Sequence, residues 1–367
     1  MKNLKIQGFV LLDVDVVALN NAGKSDTTQA DNGVATKRIR KNGRFYTYVS
    51  GQAWRYWWRN ALQKDLAWDV SPIIRETKVA FTAADPIKYA DDDVFGYMRA
   101  AKDVKLDDDG KPLMKKDGKT PDTEDVTVTR VSPLKNSAIV SVTSVQVEEN
   151  WSNMMRQEGA AVPYTKQEYS AIMKGMFSLD LEQVGTFAAY NKTGFKNLSE
   201  KLRAEALQVE GASEIADPHL ISAKGEPHKL VRLSKTTRTK RITDTILALK
   251  TISGGAMQTN NMADVTPKFI ILATTNSGNH PFSHIATARG MNDQAFELNT
   301  EGLSEVLKDY AEQWQGKVFV GHRSGFLGAD DVQKLNALQK EFPNLLEIDS
   351  INQAIDGYVD QLKTQVP

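Results

Sequence analysis

Residues 37 to 60 read KRIRKNGRFYTYVSGQAWRYWWRN. Tyr46-Thr47-Tyr48-Val49 is aromatic and β-branched and predicts a short strand. Ser50 then stands in a good N-cap position, and the spacing predicts a helix running to about Leu66. On that helix Gln52, Arg55, Arg59 and Gln63 fall in one polar stripe, with Trp54, Trp58 and Ala61 opposite. Large aromatics are mostly buried, so the tryptophans read as core docked on a sheet. The cations read differently. Lys37, Arg38, Arg40, Lys41, Arg44, Arg55 and Arg59 make seven with no acid among them, whereas a solvated face ordinarily mixes signs. Seven aromatics, Phe45, Tyr46, Tyr48, Trp54, Tyr56, Trp57 and Trp58, are interleaved with them. Cations that neutralise phosphates, beside rings on which bases stack, are what binding of single-stranded nucleic acid requires. Ser50-Gly51 adds backbone N–H groups and the positive end of a helix dipole, a seat for phosphate.

Upstream, Ile6, Gly8, Val10, Leu12, Val14 and Val16 alternate with Asp13 and Asp15, which predicts a long strand over residues 4 to 19. Asn20 to Asn32, NNAGKSDTTQADN, follows as a polar loop. Downstream, residues 91 to 125 carry eleven acids against seven Lys/Arg and almost nothing apolar after Met98, so they read as a solvated insertion. Asp91-Asp92-Asp93 and Asp107-Asp108-Asp109 within it are expected to be solvated acidic turns, since no further ligand stands at Ca²⁺-loop spacing. Strands are expected at 126 to 131, at 138 to 147 and over Met176 to Ala189. Residues 190 to 236 are turn-rich and suggest a second excursion. A helix over Arg238 to Ile252 stops at Gly254-Gly255, glycines that either cap it or let a backbone or base approach closely. Pro267 to Thr274 is a strand buried on both faces, and 301 to 364 reads as amphipathic helices around one short strand at Lys317 to Gly321. The order is βαββαβ with two long insertions, an α+β chain of ferredoxin-like or RRM type.

The 367 residues balance 46 basic against 46 acidic side chains. The neutral sum conceals a division, because Asn292 to Pro367 holds thirteen acids against six Lys/Arg, a balance of −7 that leaves +7 for residues 1 to 291. A second basic stretch comprises Lys229, Arg232, Lys235, Arg238, Lys240 and Arg241. With no cysteine, thiolate metal sites and cysteine nucleophiles are excluded. The five histidines show no metal-binding spacing, and no nucleophile-elbow, P-loop or dinucleotide motif occurs, so neither an enzyme nor a cofactor or metal is expected. No run of eighteen apolar residues exists, and Asp13 and Asp15 interrupt the apolar start, so the expected location is cytoplasmic, without a membrane span or signal peptide.

Taken in order, Ala18-Leu19-Asn20-Asn21 after the first strand, YVSGQAWRYWWR at 48 to 59, DVFGYM from Asp93, RVSPL from Arg130, SLDLEQVGTFA from Ser178, and Ser253-Gly-Gly-Ala resemble the DevR family of CRISPR-associated proteins. These are backbone subunits of type I Cascade, and the likeness, closest to subtype I-B, runs through residues 8 to 272. The resemblance implies a hand-shaped subunit with an RRM-like palm, an inserted finger domain and a thumb β-hairpin. The palm would take residues 1–80 and 146–189, the finger 81–145, the thumb region 190–236, and the palm's completion with C-terminal helices 237–367. It further implies guide RNA (crRNA) as ligand, target DNA reached through guide pairing, further copies of the chain in a helical filament, and other Cascade subunits, Cas5-like, large and small, as partners.

Carried onto this chain, the implied RNA contacts are Asn20, Asn21, Ser50, Gly51, Gln52, Arg55, Arg59, Arg130, Gly254 and Gly255. Lys37, Arg38, Arg40, Lys41, Arg44, Lys235, Arg238 and Arg241 join them by charge. Replacing Arg55 and Arg59 with Ala is expected to weaken guide binding and flatten its salt dependence. Two rivals stand beside this reading: an RNA-cleaving subunit of type III kind, using Asp26 or Asp31 in the loop after the first strand, and an autoregulator acting on duplex DNA. The acidic C-terminal region is expected away from the RNA groove.

Overall fold

The structure, a computed structural model, describes residues 3–23, 33–77, 79–100, 102–104, 112–115, 120–125, 127–156, 158–192, 195–289 and 295–367. Asp26, Asp31 and Asp107 to Asp109 lie outside these. The alternating N-terminal segment forms β1, Lys5–Val17. It is followed by β2, Arg38–Lys41, β3, Arg44–Val49, and the helix α1, Gly51–Asp65. Next come α2, Ala90–Phe95; β4, Ile139–Ser141; β5, Glu148–Met154; and β6, Val162–Asp180. The second half holds α3, Lys235–Leu247; β7, Phe269–Thr275; β8, Val318–His322; β9, Leu346–Asp349; and α4, Ile351–Gln365.

One large mixed sheet dominates, in the order β9-β8-β7-β1-β6-β4-β3-β2. Its pairs along this path are antiparallel, except the parallel β8–β9 pair. β1 is its centre, with Gly8 opposite Phe177 on β6 and Leu272 on β7. A Cβ on Gly8 would lie 2.0 Å from the Phe177 ring, so only glycine leaves that ring its place. Phe177 in turn meets Trp58 edge-on at 5.0 Å, and Trp54 stacks on Trp58 at 5.5 Å. The tryptophans are core, as their spacing predicts, each removing on the order of 200 Å² from water. Trp58 Nε1 donates to the Thr245 carbonyl at 2.7 Å, which satisfies its one polar atom and ties α1 to α3. On the other face Phe9 and Leu11 pack with Phe269, Ile271, Leu303 and Leu307, so the middle of the sheet is covered on both sides.

Three expectations are corrected. The strand expected over 176 to 189 begins at Val162 and ends at Asp180, because Leu181 to Gly185 turn the chain into a short separate strand, Thr186–Ala188. The C-terminal region has two strands, not one: Leu346–Asp349 adds a parallel edge. Asp91, Asp92 and Asp93 are not solvated turns but form α2, with exposures of 4%, 1% and 0%. The division of charge acquires a place as well, since the basic β2–β3 hairpin and the β8–β9 pair within the acidic region occupy opposite edges of the sheet. Among the described residues no helix is long and apolar enough to cross a membrane.

Candidate nucleic-acid interface

Three motifs far apart in sequence meet at the end of β1. Ser50 caps α1, its Oγ accepting from Ala53 N at 3.3 Å. Ser50 N donates to Asn20 Oδ1 at 2.9 Å, and Lys37 N donates to the Asn20 carbonyl at 2.9 Å. From the far side, Ala256 N donates to the Leu19 carbonyl at 3.0 Å. Gly254 and Gly255 are there for close approach: a Cβ on Gly254 would sit 2.2 Å from the Trp57 indole, and one on Gly255 2.8 Å from Leu19 Cδ2. Gly255 also has φ +111°, which disfavours other residues. Asn21 keeps a buried Oδ1 without a partner among the described residues, and Gln52 stands exposed on the first turn of α1. The result is a junction rich in backbone groups and neutral side chains, with a helix N-terminus opening onto it.

A cleft of about 860 Å³ lies beside this junction. The β2–β3 hairpin contributes Arg44 and Phe45 to it, β1 contributes Val16, and the β5–β6 ribbon contributes Glu148, Asn150 and Glu168. Arg38 lies over the Phe45 ring at 4.6 Å and Arg40 at 5.8 Å, a cation and aromatic arrangement suited to a base or a phosphate. Arg40 and Lys41 are exposed and have no acidic partner among the described residues. The carboxylates on the ribbon side favour a base edge or ribose hydroxyl there over a phosphate. Against the upward push of burial, Lys166 and Asn261 hold the Glu168 carboxyl below the usual glutamate range.

Other expected RNA contacts have their polar atoms engaged within the protein. Arg55 donates to the carbonyls of Leu134 at 2.8 Å and Phe95 at 2.6 Å, to Asn136 Oδ1 at 3.0 Å and to Ser132 Oγ at 2.9 Å. Burial, with Arg59 nearby, lowers its pKa to about 10. Arg59 lies over the Phe95 ring at 4.3 Å and pairs with Asp91 at 3.8 Å. Arg130, 5% exposed, binds Asp93 and the carbonyls of Thr186 and Gln183. Arg241 binds the other Asp93 oxygen at 2.7 Å and the carbonyls of Pro86 and Ile87, while Arg238 holds those of Leu181 and Val184. Burial lowers Arg238 as well, to about 10. Asp93 also accepts Gly185 N at 2.9 Å, so one carboxylate fixes α2, α3 and the turn after β6. These arginines have their N–H groups directed at protein oxygens, which removes Arg55, Arg130, Arg238 and Arg241 from a phosphate-facing surface. Lys235 is exposed but lines a separate depression with Glu182, Arg232 and Gln365.

The ribbon Glu148–Met154 and Val162–Glu168 escaped the sequence reading. It carries exposed Trp151, Met154, Met155 and Val162. Its root is stitched to the junction: Val34 N donates to Thr165 O and Gln167 N to Val34 O, each at 3.2 Å. Asn261, at the Gly255 side, donates to Glu168 Oε1 at 2.9 Å and Val16 O at 2.8 Å. An isolated tryptophan with two methionines in a polar stretch was the available signal. Among the described residues no group of side chains has metal-binding composition.

Fold and site together define an α+β protein on one large mixed sheet, with a backbone-lined junction flanked by cations. The chain belongs to the family described as CRISPR-associated negative auto-regulator DevR/Csa2, whose model matches residues 10–293. No curated protein sequence matches it. Among solved structures, a chain of a "CRISPR RNA-guided surveillance complex" is similar at 12% identity and TM-score 0.49, covering 97% of this chain and 99% of that one. A chain of a "CRISPR RNA-guided surveillance complex, pre-nicking" is similar at 10% identity and TM-score 0.47, covering 98% and 99%.

Proposed function

We propose that this protein is a guide-RNA-binding backbone subunit of a type I CRISPR effector complex, that it is not itself an enzyme, and that target DNA is reached through pairing with the guide. The observation that carries this is the meeting of Asn20, Ser50-Gly51 and Gly254-Gly255 at one junction, in a chain of the DevR/Csa2 family. The open N-terminus of α1, with Gln52 exposed on its first turn, suits a sugar-phosphate chain held without regard to sequence, leaving specificity to base pairing. The strand order β7-β1-β6-β4, with α1 and α3 in one core cluster, supports the palm reading. Asn20, Asn21, Lys37, Arg38, Arg44, Ser50, Gly51, Gln52, Gly254 and Gly255 are kept as guide contacts.

Two hairpins compete for the role of thumb. The hairpin Ser213–Ile221/Pro227–Arg232 packs by Tyr190, Lys192 and Glu182, none of which touches the junction. The β5–β6 ribbon is rooted at the junction and presents Trp151 and two methionines, so it is assigned the grip over the bound strand. Co-expression with a guide locus and the other subunits tests the whole reading: the purified protein should carry small RNA of uniform length. Well-folded protein free of RNA would end it. The family's description as a negative auto-regulator favours one rival, an autoregulator acting on duplex DNA; tight binding of duplex DNA by the RNA-free chain would establish that instead.

A further inference from the structure

The root and the tip of the β2–β3 hairpin offer different chemistry. At the root, Lys37 N is fixed on the Asn20 carbonyl, among neutral groups already held in place. Asn42 and Gly43 turn the tip with φ of +51° and +80°. Consecutive positive φ values mark a tight turn whose twist matches its strands, so the hairpin is a stiff arm. Arg40 and Lys41 stand exposed beside that turn, each over a ring of β3, Phe45 or Tyr46, at 5.8 Å. Lys174 stands close to Lys41: burial first, and then the Lys41 charge, lower its pKa, and its ammonium is held by the Ser283 and Ala286 carbonyls. From Lys37 to Lys41 the arm reaches about 13 Å at ~3.3 Å per residue.

A strand bound for the lifetime of the protein is best held by fixed, neutral, preorganised donors. One that arrives from solution gains most from hydrated cations, which release counterions from its phosphates on contact. An arm that starts at the guide junction and carries such cations about 13 Å away reaches across a growing duplex toward its second backbone. We infer that Arg40 and Lys41 contact the phosphates of the strand that pairs with the bound guide, not the guide itself. This rests on the guide-binding reading above.

The test uses the assembled, guide-loaded complex carrying Arg40→Gln and Lys41→Gln, with a complementary single-stranded DNA as probe. Guide content of the purified complex is read by absorbance ratio and gel, and DNA affinity is read across a salt series. Guide content should equal wild type. DNA affinity should fall, and the slope of log affinity against log salt should shrink by about 1.4 for each copy whose arm engages, at ~0.7 per cation on a single strand. A non-complementary DNA of equal length should show a much smaller loss, since it is not laid along the guide; an equal loss overturns the inference in favour of general electrostatic attraction. Unchanged affinity and slope with full guide content overturns the inference and leaves guide binding standing. Loss of guide from the variant also overturns it, since the cations then belong to the guide. A wild-type complex without guide overturns both.

Discussion

Two pairs of cations, one from each basic stretch, look alike in sequence and behave in opposite ways. Arg40 and Lys41 stand in water on the β2–β3 hairpin, with no acidic neighbour to restrain them among the described residues. Arg238 and Arg241, in the second stretch, are buried at 1% and 6% exposure, together with Arg130. The difference lies in what each meets. Arg241 and Arg130 share Asp93, which stands 148 and 37 residues away in sequence, and Arg238 meets main-chain carbonyls at the turn after β6. A run of cations without a local acid therefore has two outcomes, a solvated surface or a set of braces on distant oxygens. Only the first can serve an anionic ligand.

The comparison predicts an order of effects. Asp93→Asn should be the most damaging, about 3–5 kcal/mol in urea unfolding, because it leaves Arg130 and Arg241 buried without their counter-charge. A loss under about 1 kcal/mol would mean that the braces are hydrated. Arg55→Ala should follow, at about 2–3 kcal/mol, since the Leu134 and Phe95 carbonyls lose their donor in a mostly buried site. Arg55→Lys should recover little, for a single ammonium does not reproduce the forked geometry. If Arg55→Ala instead left stability intact and weakened RNA binding, Arg55 would return to the ligand surface.

Gly254→Ala should come next, costing about 1–3 kcal/mol as the new methyl drives the loop off Trp57. It should also weaken RNA retention, because the Leu19 to Ala256 hydrogen bond at the junction moves with the loop. Arg40→Gln should have the smallest effect on stability, within about 0.5 kcal/mol by thermal unfolding, as for exposed side chains generally. A large loss there would make the hairpin cation structural and erase the contrast.

Much of this was legible. The first strand, the capped helix at Ser50 and the buried tryptophans follow from local rules of alternation, capping and ring size, which act within a few residues. Asn20, Ser50 and Gly254-Gly255 were readable as three separate motifs. Their proximity was not, because glycine's role at 254 depends on an indole from α1 that the local sequence does not display. Asp91-Asp92-Asp93 misled for the same reason. Three adjacent acids suggest water, yet each finds a donor outside its own helix: Ser71 N for Asp91, Asp85 N for Asp92, and two distant arginines for Asp93. The ribbon at 148 to 168 was missed because its first strand, Glu148–Met154, is polar with no buried position, and so lacks the alternation that burial of one face imposes on a strand.

The sequence by itself determined the fold class, the first strand, the helix that docks on the sheet and the family, because hydrophobic period and capping chemistry are local. Which cations face solvent, which carboxylates are interior, and which backbone segments meet at the junction were decided only by the tertiary structure. Charge pairing, desolvation and close approach of backbone are properties of distances in space, and chain separation does not fix those.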